Sequence, residues 1–231
     1  MKLCDLTLLT VSFNNNIMTG LMLKSFFKQL QNDTEVVIVD NGTTLQVDEN
    51  LKSIFNVVDN FQHKLLPDYH QCSKNHCAVI DYALKNIIKT KWVLLVDNDV
   101  FFKPEVKQFL ENFNENEFDC VGEVGWDDAP PIRIFPYFCL INVENFKESK
   151  INYFDKNRII EDPPIGRTIG IRGKYTRCWY HDTGSSFYED IKDIWKIKQI
   201  KLDDFIVHNK TTGAPKMSFL NFLKVNKELY N

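Results

Sequence analysis

Two aspartates, Asp97 and Asp99, directly follow the apolar run WVLLV and are separated by the single residue Asn98. Because successive side chains of a strand point to opposite faces, residues two positions apart point to the same side. Two carboxylates that face one point repel each other unless a cation lies between them. Carboxylate oxygens suit Mg²⁺ or Mn²⁺, and either ion can also bind the phosphates of a nucleotide. The spacing therefore predicts a divalent-metal site, the alternative being an ordinary polar turn.

Two further polar clusters follow apolar runs earlier in the chain. Asn14-Asn15-Asn16 comes after LTLLTVSF, and Asp40-Asn41 comes after EVVIV. In open parallel sheets, ligands bind in the crevice beyond the carboxyl ends of the strands. We therefore expect Asn14, Asp40 and the two aspartates to line one pocket. For Asp40 the alternative is a carboxylate that only caps its turn.

The elements that must position these side chains follow from the apolar pattern. Continuous apolar runs predict buried strands over 6–13, 35–39 and 92–96, with a weaker strand near 56–59. Helical spacing of apolar residues predicts helices over 17–30 and 73–89. Strands without polar alternation, separated by helices, indicate an α/β protein with a mostly parallel, Rossmann-like central sheet.

The pattern changes after Pro104, where loops and short elements predominate. Helices are predicted over 105–113, 187–194 and 217–229, a strand over 138–143, and one or two strands within 197–207. Residues 155–180 are predicted to be loop-rich and basic. We expect one domain over 1–231, in which the pattern divides the chain into two halves, 1–104 and 105–231.

Composition excludes several classes of protein. The 231-residue chain has a formal net charge of −3, with 44% hydrophobic and 26% charged residues, as an ordinary folded domain has. No apolar run approaches the roughly 20 residues that span a bilayer. The six cysteines lack the spacing of a zinc site. The N-terminus lacks the zones of a signal peptide, so we expect a cytoplasmic protein.

The order of four segments resembles the family-2 glycosyltransferases of GT-A fold. These segments are LTVSFNNN, VVIVDNG, SKNHCAVIDYAL and TKWVLLVDNDV, and the resemblance covers about residues 5–105. It implies a transferase that moves a sugar from a nucleotide-sugar donor to an acceptor hydroxyl, with a nucleotide-sugar-binding half (1–104) and an acceptor-binding half (105–231). In this family the pair of aspartates around Asn98 is the metal-binding DxD motif, which implies Mn²⁺ or Mg²⁺ as cofactor.

The resemblance also implies roles for residues that bind the donor. Asn14 and Asp40 would contact the nucleotide base and ribose, and His76 and Asp81 would lie on a helix lining the donor pocket. The alternative for His76 is a local hydrogen bond in the first helical turn. The alternative for Asp81 is a solvated helix position.

Roles at the metal follow in the same way. Asp99 would bind the ion directly, and Asp97 would bind the ribose or a metal-bound water. Several GT-A enzymes use a histidine late in the chain as a third ligand, which implies this role for His208. A structural histidine is the alternative.

The segment 180–184, YHDTG, resembles a stretch found in some small family-2-like transferases. An inverting transfer needs a carboxylate that removes the proton of the acceptor hydroxyl. We expect Asp182 to be this base, with Asp128 as the second candidate. The alternative for Asp182 is a helix cap.

The acceptor is expected to be a surface glycan. A basic stretch that includes Arg177 is interleaved with aromatic residues. It could clamp the donor diphosphate, bind an anionic acceptor or contact nucleic acid. The same chemistry on a hydroxymethylated base of phage DNA is therefore an alternative. A non-catalytic nucleotide- or sugar-binding module is the alternative of another class. A nucleotidyltransferase is disfavoured, because three asparagines stand where that class has a Gly-rich basic loop.

Overall fold

A computed structural model of the chain describes residues 1, 3–30, 34–41, 47–58, 72–125, 132–153, 160–161, 168–171, 174–179, 183–208 and 219–230. The strands are β1 (Leu6–Ser12), β2 (Glu35–Asp40), β3 (Asn56–Val58), β4 (Trp92–Asp97), β5 (Val100–Phe102), β6 (Cys120–Gly125), β7 (Arg133–Asn142), β8 (Ile160–Glu161), β9 (Thr168–Ile171), β10 (Lys174–Trp179), β11 (Ile197–Gln199) and β12 (Ile206–His208). The helices are α1 (Asn16–Leu30), α2 (Glu49–Ile54), α3 (Cys72–Tyr82), α4 (Glu105–Glu111), α5 (Val143–Glu148), α6 (Ser185–Ile191), α7 (Phe219–Val225) and α8 (Lys227–Tyr230).

A seven-stranded sheet in the order β11-β6-β7-β4-β1-β2-β3 forms the centre of the protein. Strands β3, β2, β1 and β4 are parallel to one another. Strand β7 is antiparallel to both of its neighbours, β4 and β6. The predicted α/β architecture with a mostly parallel sheet is confirmed, and the carboxyl ends of β1, β2 and β4 meet at one edge.

Helices cover both faces of this sheet because its strands are apolar on both sides. Every residue of β1 is buried. Within β1, the adjacent residues Leu8 and Leu9 belong to two different hydrophobic cores on opposite faces of the sheet. Helices α3, α5 and α6 contribute to the core around Leu9, whereas α1 and α4 contribute to the core around Leu8.

The early elements lie within one or two residues of their predicted bounds, and the later ones differ more. The helix predicted over 73–89 ends its regular part at Tyr82 and continues as a wider π turn, Ala83–Ile87. The strand predicted to start at 138 begins at Arg133, and the terminal helix is divided into α7 and α8.

The expectation of a loop-rich segment over 155–180 was wrong for its described part. Strands β8, β10 and β9 form a three-stranded antiparallel sheet there. Backbone hydrogen bonds hold such a ladder whatever the side chains are, so basic residues such as Arg177 do not prevent it. Charged residues interrupt the apolar runs of this segment, so a prediction based on such runs misses these strands.

A two-stranded ribbon brings a late segment of the chain to the end of β4. Strands β5 and β12 are antiparallel, with Val100 opposite His208. The Lys103 amide also donates to the Phe205 carbonyl oxygen over 2.8 Å. The ring of Phe205 packs on Phe109 at a centroid distance of 4.7 Å and so anchors the ribbon on α4.

No helix among the described residues is long and apolar enough to cross a membrane.

Candidate active site

Three side chains that can bind a metal ion converge at the end of β4. One ligand atom each from Asp97, Asp99 and His208 lies within 4.8 Å of the others. The His208 Nε2 atom is 3.1 Å from Asp99 Oδ1. The structure thus brings together the three residues that the sequence and the resemblance assigned to the metal.

The middle residue of the motif points away from this cluster. Asn98 Nδ2 donates to Thr19 Oγ1 on α1 over 3.2 Å. Thr19 Oγ1 in turn lies 3.1 Å from Ser12 Oγ at the end of β1. These contacts fix the turn after β4 against α1, so that its two carboxylates face the other side, as strand alternation predicts.

The environment of Asp97 disfavours a negative charge unless a cation is near. Its Oδ1 atom is buried and has no hydrogen-bond partner among the described residues. Burial, the largest cause, raises the pKa of Asp97; nearby His76 opposes this effect, and the Asp99 carboxylate adds to it. A buried carboxylate oxygen without a donor is costly on its own, whereas a bound cation would satisfy it.

The three side chains fit a divalent metal ion. They supply two carboxylate oxygens and one imidazole nitrogen, and Asp97 provides the unsatisfied buried oxygen described above. Carboxylates suit Mg²⁺ and Mn²⁺, while imidazole suits transition metals.

The residues predicted to bind the nucleotide lie at the ends of β1 and β2. Asn14 adopts a left-handed backbone conformation with φ 53°, which asparagine tolerates better than most residues. Asp40 is fully buried, and its Oδ2 atom accepts a hydrogen bond of 2.7 Å from the Val47 amide. The Asn41 amide donates to the Ser12 carbonyl oxygen and ties the two strand ends together. The contacts of Asn14 and Asp40 with a nucleotide remain a prediction.

The two residues predicted on the pocket helix have different surroundings. His76 Nε2 lies 3.7 Å from Asp97 Oδ1, at the metal cluster. Asp81 accepts a hydrogen bond from Lys85 Nζ over 2.7 Å and another from the Tyr153 amide over 2.6 Å. Asp81 therefore ties α3 to the segment after α5, and its role in donor binding stays a prediction.

The two candidate bases, Asp128 and Asp182, lie outside the described residues. Arg177 belongs to β10, where it pairs with Thr168, and its side chain is not among those described.

A buried arginine that sequence reasoning missed acts on the metal cluster. Arg133, the first residue of β7, is 9% exposed and acts as a positive charge on Asp97. Its Nη1 atom donates to the Thr183 carbonyl oxygen over 3.3 Å. Its guanidinium lies 5.1 Å from the centre of the Phe135 ring. The available signal was an arginine at the start of the apolar run IFPYFCLI, where burial requires a partner.

The chain matches a known protein family. The sequence pattern of Glycosyl transferase family 2 matches residues 7–128, more than half of the 231-residue chain. No curated protein matches the sequence.

Two solved structures share the fold at low sequence identity. Residues 1–349 of TarS from S. aureus, in complex with UDP-GlcNAc, match with a TM-score of 0.52 and 14% identity, over 97% of this chain and 65% of that chain. The glycosyltransferase GlyE of Streptococcus pneumoniae TIGR4 matches with a TM-score of 0.54 and 11% identity, over 86% of this chain and 45% of that chain. The matched part thus spans about half to two thirds of those proteins. The likeness shows the GT-A fold, and the match to the sequence family shows that this chain belongs to glycosyl transferase family 2.

Proposed function

We propose that the chain transfers a sugar from a nucleotide-sugar donor to an acceptor hydroxyl, with Mn²⁺ or Mg²⁺ held by Asp97, Asp99 and His208. The observation that carries the proposal is the convergence of these three ligand atoms within 4.8 Å. They lie at the edge where parallel α/β sheets bind ligands. Membership of a glycosyltransferase family makes a nucleotide sugar the expected ligand.

Each residue of the cluster has a distinct part in this proposal. When bound, the metal ion would offset the negative charge of the departing nucleoside diphosphate. Asp97 and Asp99 supply oxygen ligands, and His208 supplies a nitrogen ligand. Arg133, whose positive charge reaches Asp97, adds to the field that holds the diphosphate.

The donor lies, in this proposal, along the edge formed by β1, β2 and β4. Asn14 and Asp40 bind the nucleoside, and His76 lines the pocket beside Asp97. We retain the division into a donor-binding half (1–104) and an acceptor-binding half (105–231). Because the TarS structure contains UDP-GlcNAc, this nucleotide sugar is the first donor to test.

We propose Asp182 as the base of an inverting transfer. The next residue, Thr183, is 4% exposed, and its carbonyl oxygen accepts a hydrogen bond from Arg133. The second candidate, Asp128, belongs to the connection between β6 and β7, which pair through Gly125 and Arg133. Arg133 therefore contacts one described residue near each candidate, Thr183 and Gly125.

A screen of nucleotide sugars with Mn²⁺ tests the proposal. Thermal stabilisation identifies the donor, because a ligand that binds only the native state raises Tm by mass action. Transfer is then assayed with a glycan and with hydroxymethylated DNA as acceptors. Donor binding without hydrolysis or transfer to any acceptor would favour a binding module, and no Mn²⁺-dependent stabilisation by any nucleotide sugar would refute the proposal.

A further inference from the structure

A bulge in β7 presents two aromatic rings beside the metal cluster. The register between β6 and β7 passes from Gly122 opposite Cys139 to Val124 opposite Ile134, an advance of two residues on β6 and five on β7. Pro136 lies within this bulge, where its missing N–H leaves no ladder hydrogen bond broken. Bulges redirect side chains near active sites. Tyr137 lies in this bulge; in a regular β7 it would pair with a residue of β6.

The rings form a continuous stack that ends on the predicted metal ligand. Tyr137 stacks on the imidazole of His208, with ring centroids 4.3 Å apart and an interplanar angle of 24°. Tyr137 also stacks on Phe135 at 5.0 Å and 18°. The Arg133 guanidinium lies over Phe135 at 5.1 Å. Phe135 and Tyr137 thus connect Arg133 to His208 through contacts between their rings.

The usual device for orienting a metal-binding histidine is absent from the described residues. A ligating imidazole commonly donates its second ring N–H to a carboxylate or carbonyl oxygen, which fixes the plane of the ring. The Nδ1 atom of His208 is buried and has no hydrogen-bond partner there. Rotation about the last torsion of a histidine is broad and weakly restricted by itself. Among the described residues, the ring of Tyr137 supplies a contact that can set the plane of the imidazole.

We propose that Tyr137 is a positioning residue for His208, its ring face fixing the plane of the imidazole so that Nε2 is directed at the metal. This inference rests on the proposed function. The effect comes from the aromatic face, so phenylalanine would serve as well as tyrosine.

Metal binding and ring order test the inference separately. Titrations followed by the electron paramagnetic resonance of free Mn²⁺ compare the wild type with Tyr137→Phe, Tyr137→Leu and the matched control Phe118→Leu. Phe118 packs against the same core, and its ring stacks on Phe113. We expect Tyr137→Leu to weaken Mn²⁺ binding about 10-fold, as the loss of an orienting partner does, and the other two variants to bind as the wild type does. In a His208→Ala background, Tyr137→Leu should cause no further loss.

The metal-free protein provides the second readout. Stacking on Tyr137 shifts the Cε1 proton of His208 upfield in the NMR spectrum, and this shift should disappear in Tyr137→Leu and persist in Tyr137→Phe. Should Tyr137→Leu not fold, Tyr137→Met replaces it in both experiments. Unchanged Mn²⁺ affinity in the nonaromatic variant, or an equal loss in the His208→Ala background, overturns the inference. A wild type that binds no Mn²⁺ refutes the metal part of the proposed function instead, and the proton shift then still decides whether Tyr137 orders His208.

Discussion

The Nε2 atom of His208 lies 3.1 Å from Oδ1 of Asp99, although 109 positions separate the two residues in the chain. The contact follows from one strand pairing, because β12 places His208 opposite Val100, the residue after Asp99. Two ligands thus come from the end of β4, and the third comes from the ribbon that continues it. The predictions below test what this arrangement requires.

Replacing Asp99 should remove the metal dependence of donor binding. Calorimetry of the donor with and without Mn²⁺ should show tighter binding with Mn²⁺ for the wild type and no gain for Asp99→Ala. The loss should reach about 10-fold or more, since the ion would no longer connect protein and diphosphate. Asp203→Ala removes an exposed carboxylate outside the cluster and should behave as the wild type. An equal gain from Mn²⁺ in Asp99→Ala would contradict the assignment.

Without metal, the charge on Asp97 should destabilise the protein at neutral pH. Burial raises the pKa of Asp97 above its ordinary value of 3.8, so the native state binds this proton more tightly than the unfolded state does. The stabilisation that protonation provides is complete below the unfolded pKa and is lost as pH rises through the folded pKa. In EDTA at neutral pH, Asp97→Asn should therefore have a higher Tm than the wild type.

The advantage of Asp97→Asn should shrink as the pH is lowered toward the ordinary pKa of aspartate. Saturating Mn²⁺ should reverse the order, because only the wild type then keeps its full set of ligands. Scanning calorimetry across this pH range, with and without Mn²⁺, measures both effects. A lower Tm for Asp97→Asn in EDTA at neutral pH would count against the electrostatic account.

Gly184 should not tolerate a side chain. Its φ of +87° is in the left-handed region, and a Cβ atom would lie 2.1 Å from the Ile134 carbonyl oxygen. Gly184→Ala should lower the free energy of unfolding by about 2–4 kcal/mol, as strained backbone and overpacking do. Urea denaturation measures the change.

Gly20 provides the matched control for this substitution. It lies within α1, and a Cβ atom there meets nothing within 4 Å. Gly20→Ala should raise the free energy of unfolding by about 0.5–1 kcal/mol, because alanine favours a helix interior. If both variants lose similar stability, the close approach of Gly184 to β7 is not the cause.

Replacing the proposed base should separate binding from transfer. Asp182→Asn should leave donor affinity unchanged and lower kcat by about 10²–10⁴-fold, the usual contribution of a general base. Chromatographic detection of the glycosylated acceptor measures transfer, and calorimetry measures donor binding. Normal transfer by Asp182→Asn together with a loss in Asp128→Asn would move the role to Asp128.

The first half of the fold could be predicted because its physics is local. The runs in β2 and β4 are mostly uninterrupted apolar residues, and β1 places only Thr and Ser between its apolar residues, as strands buried on both faces allow. The polar turns after these strands mark the binding edge. The spacing of Asp97 and Asp99 across one residue was enough to predict that both face one side. Their geometry and that of Asn98 confirm this.

The second half depends on pairing between distant segments, which one sequence does not display. β5 is a three-residue strand, and only its pairing with β12 explains why His208 reaches Asp99. The family resemblance, rather than any local pattern, suggested His208. Arg133 and Tyr137 escaped notice because a single arginine and a tyrosine next to a proline carry no periodic signal. Their importance comes from the Thr183 carbonyl oxygen and from the register of β6 with β7.

The pairing of β5 with β12 has a consequence for biosynthesis. A nascent polypeptide that has left the ribosome up to residue 128 contains the whole family-matching segment and both acidic ligands, but not the imidazole that completes their set. Contacts between such distant positions form late, after the intervening chain has been ordered. The ligand set of the proposed metal site is therefore completed only when β12 has been synthesised and has paired with β5.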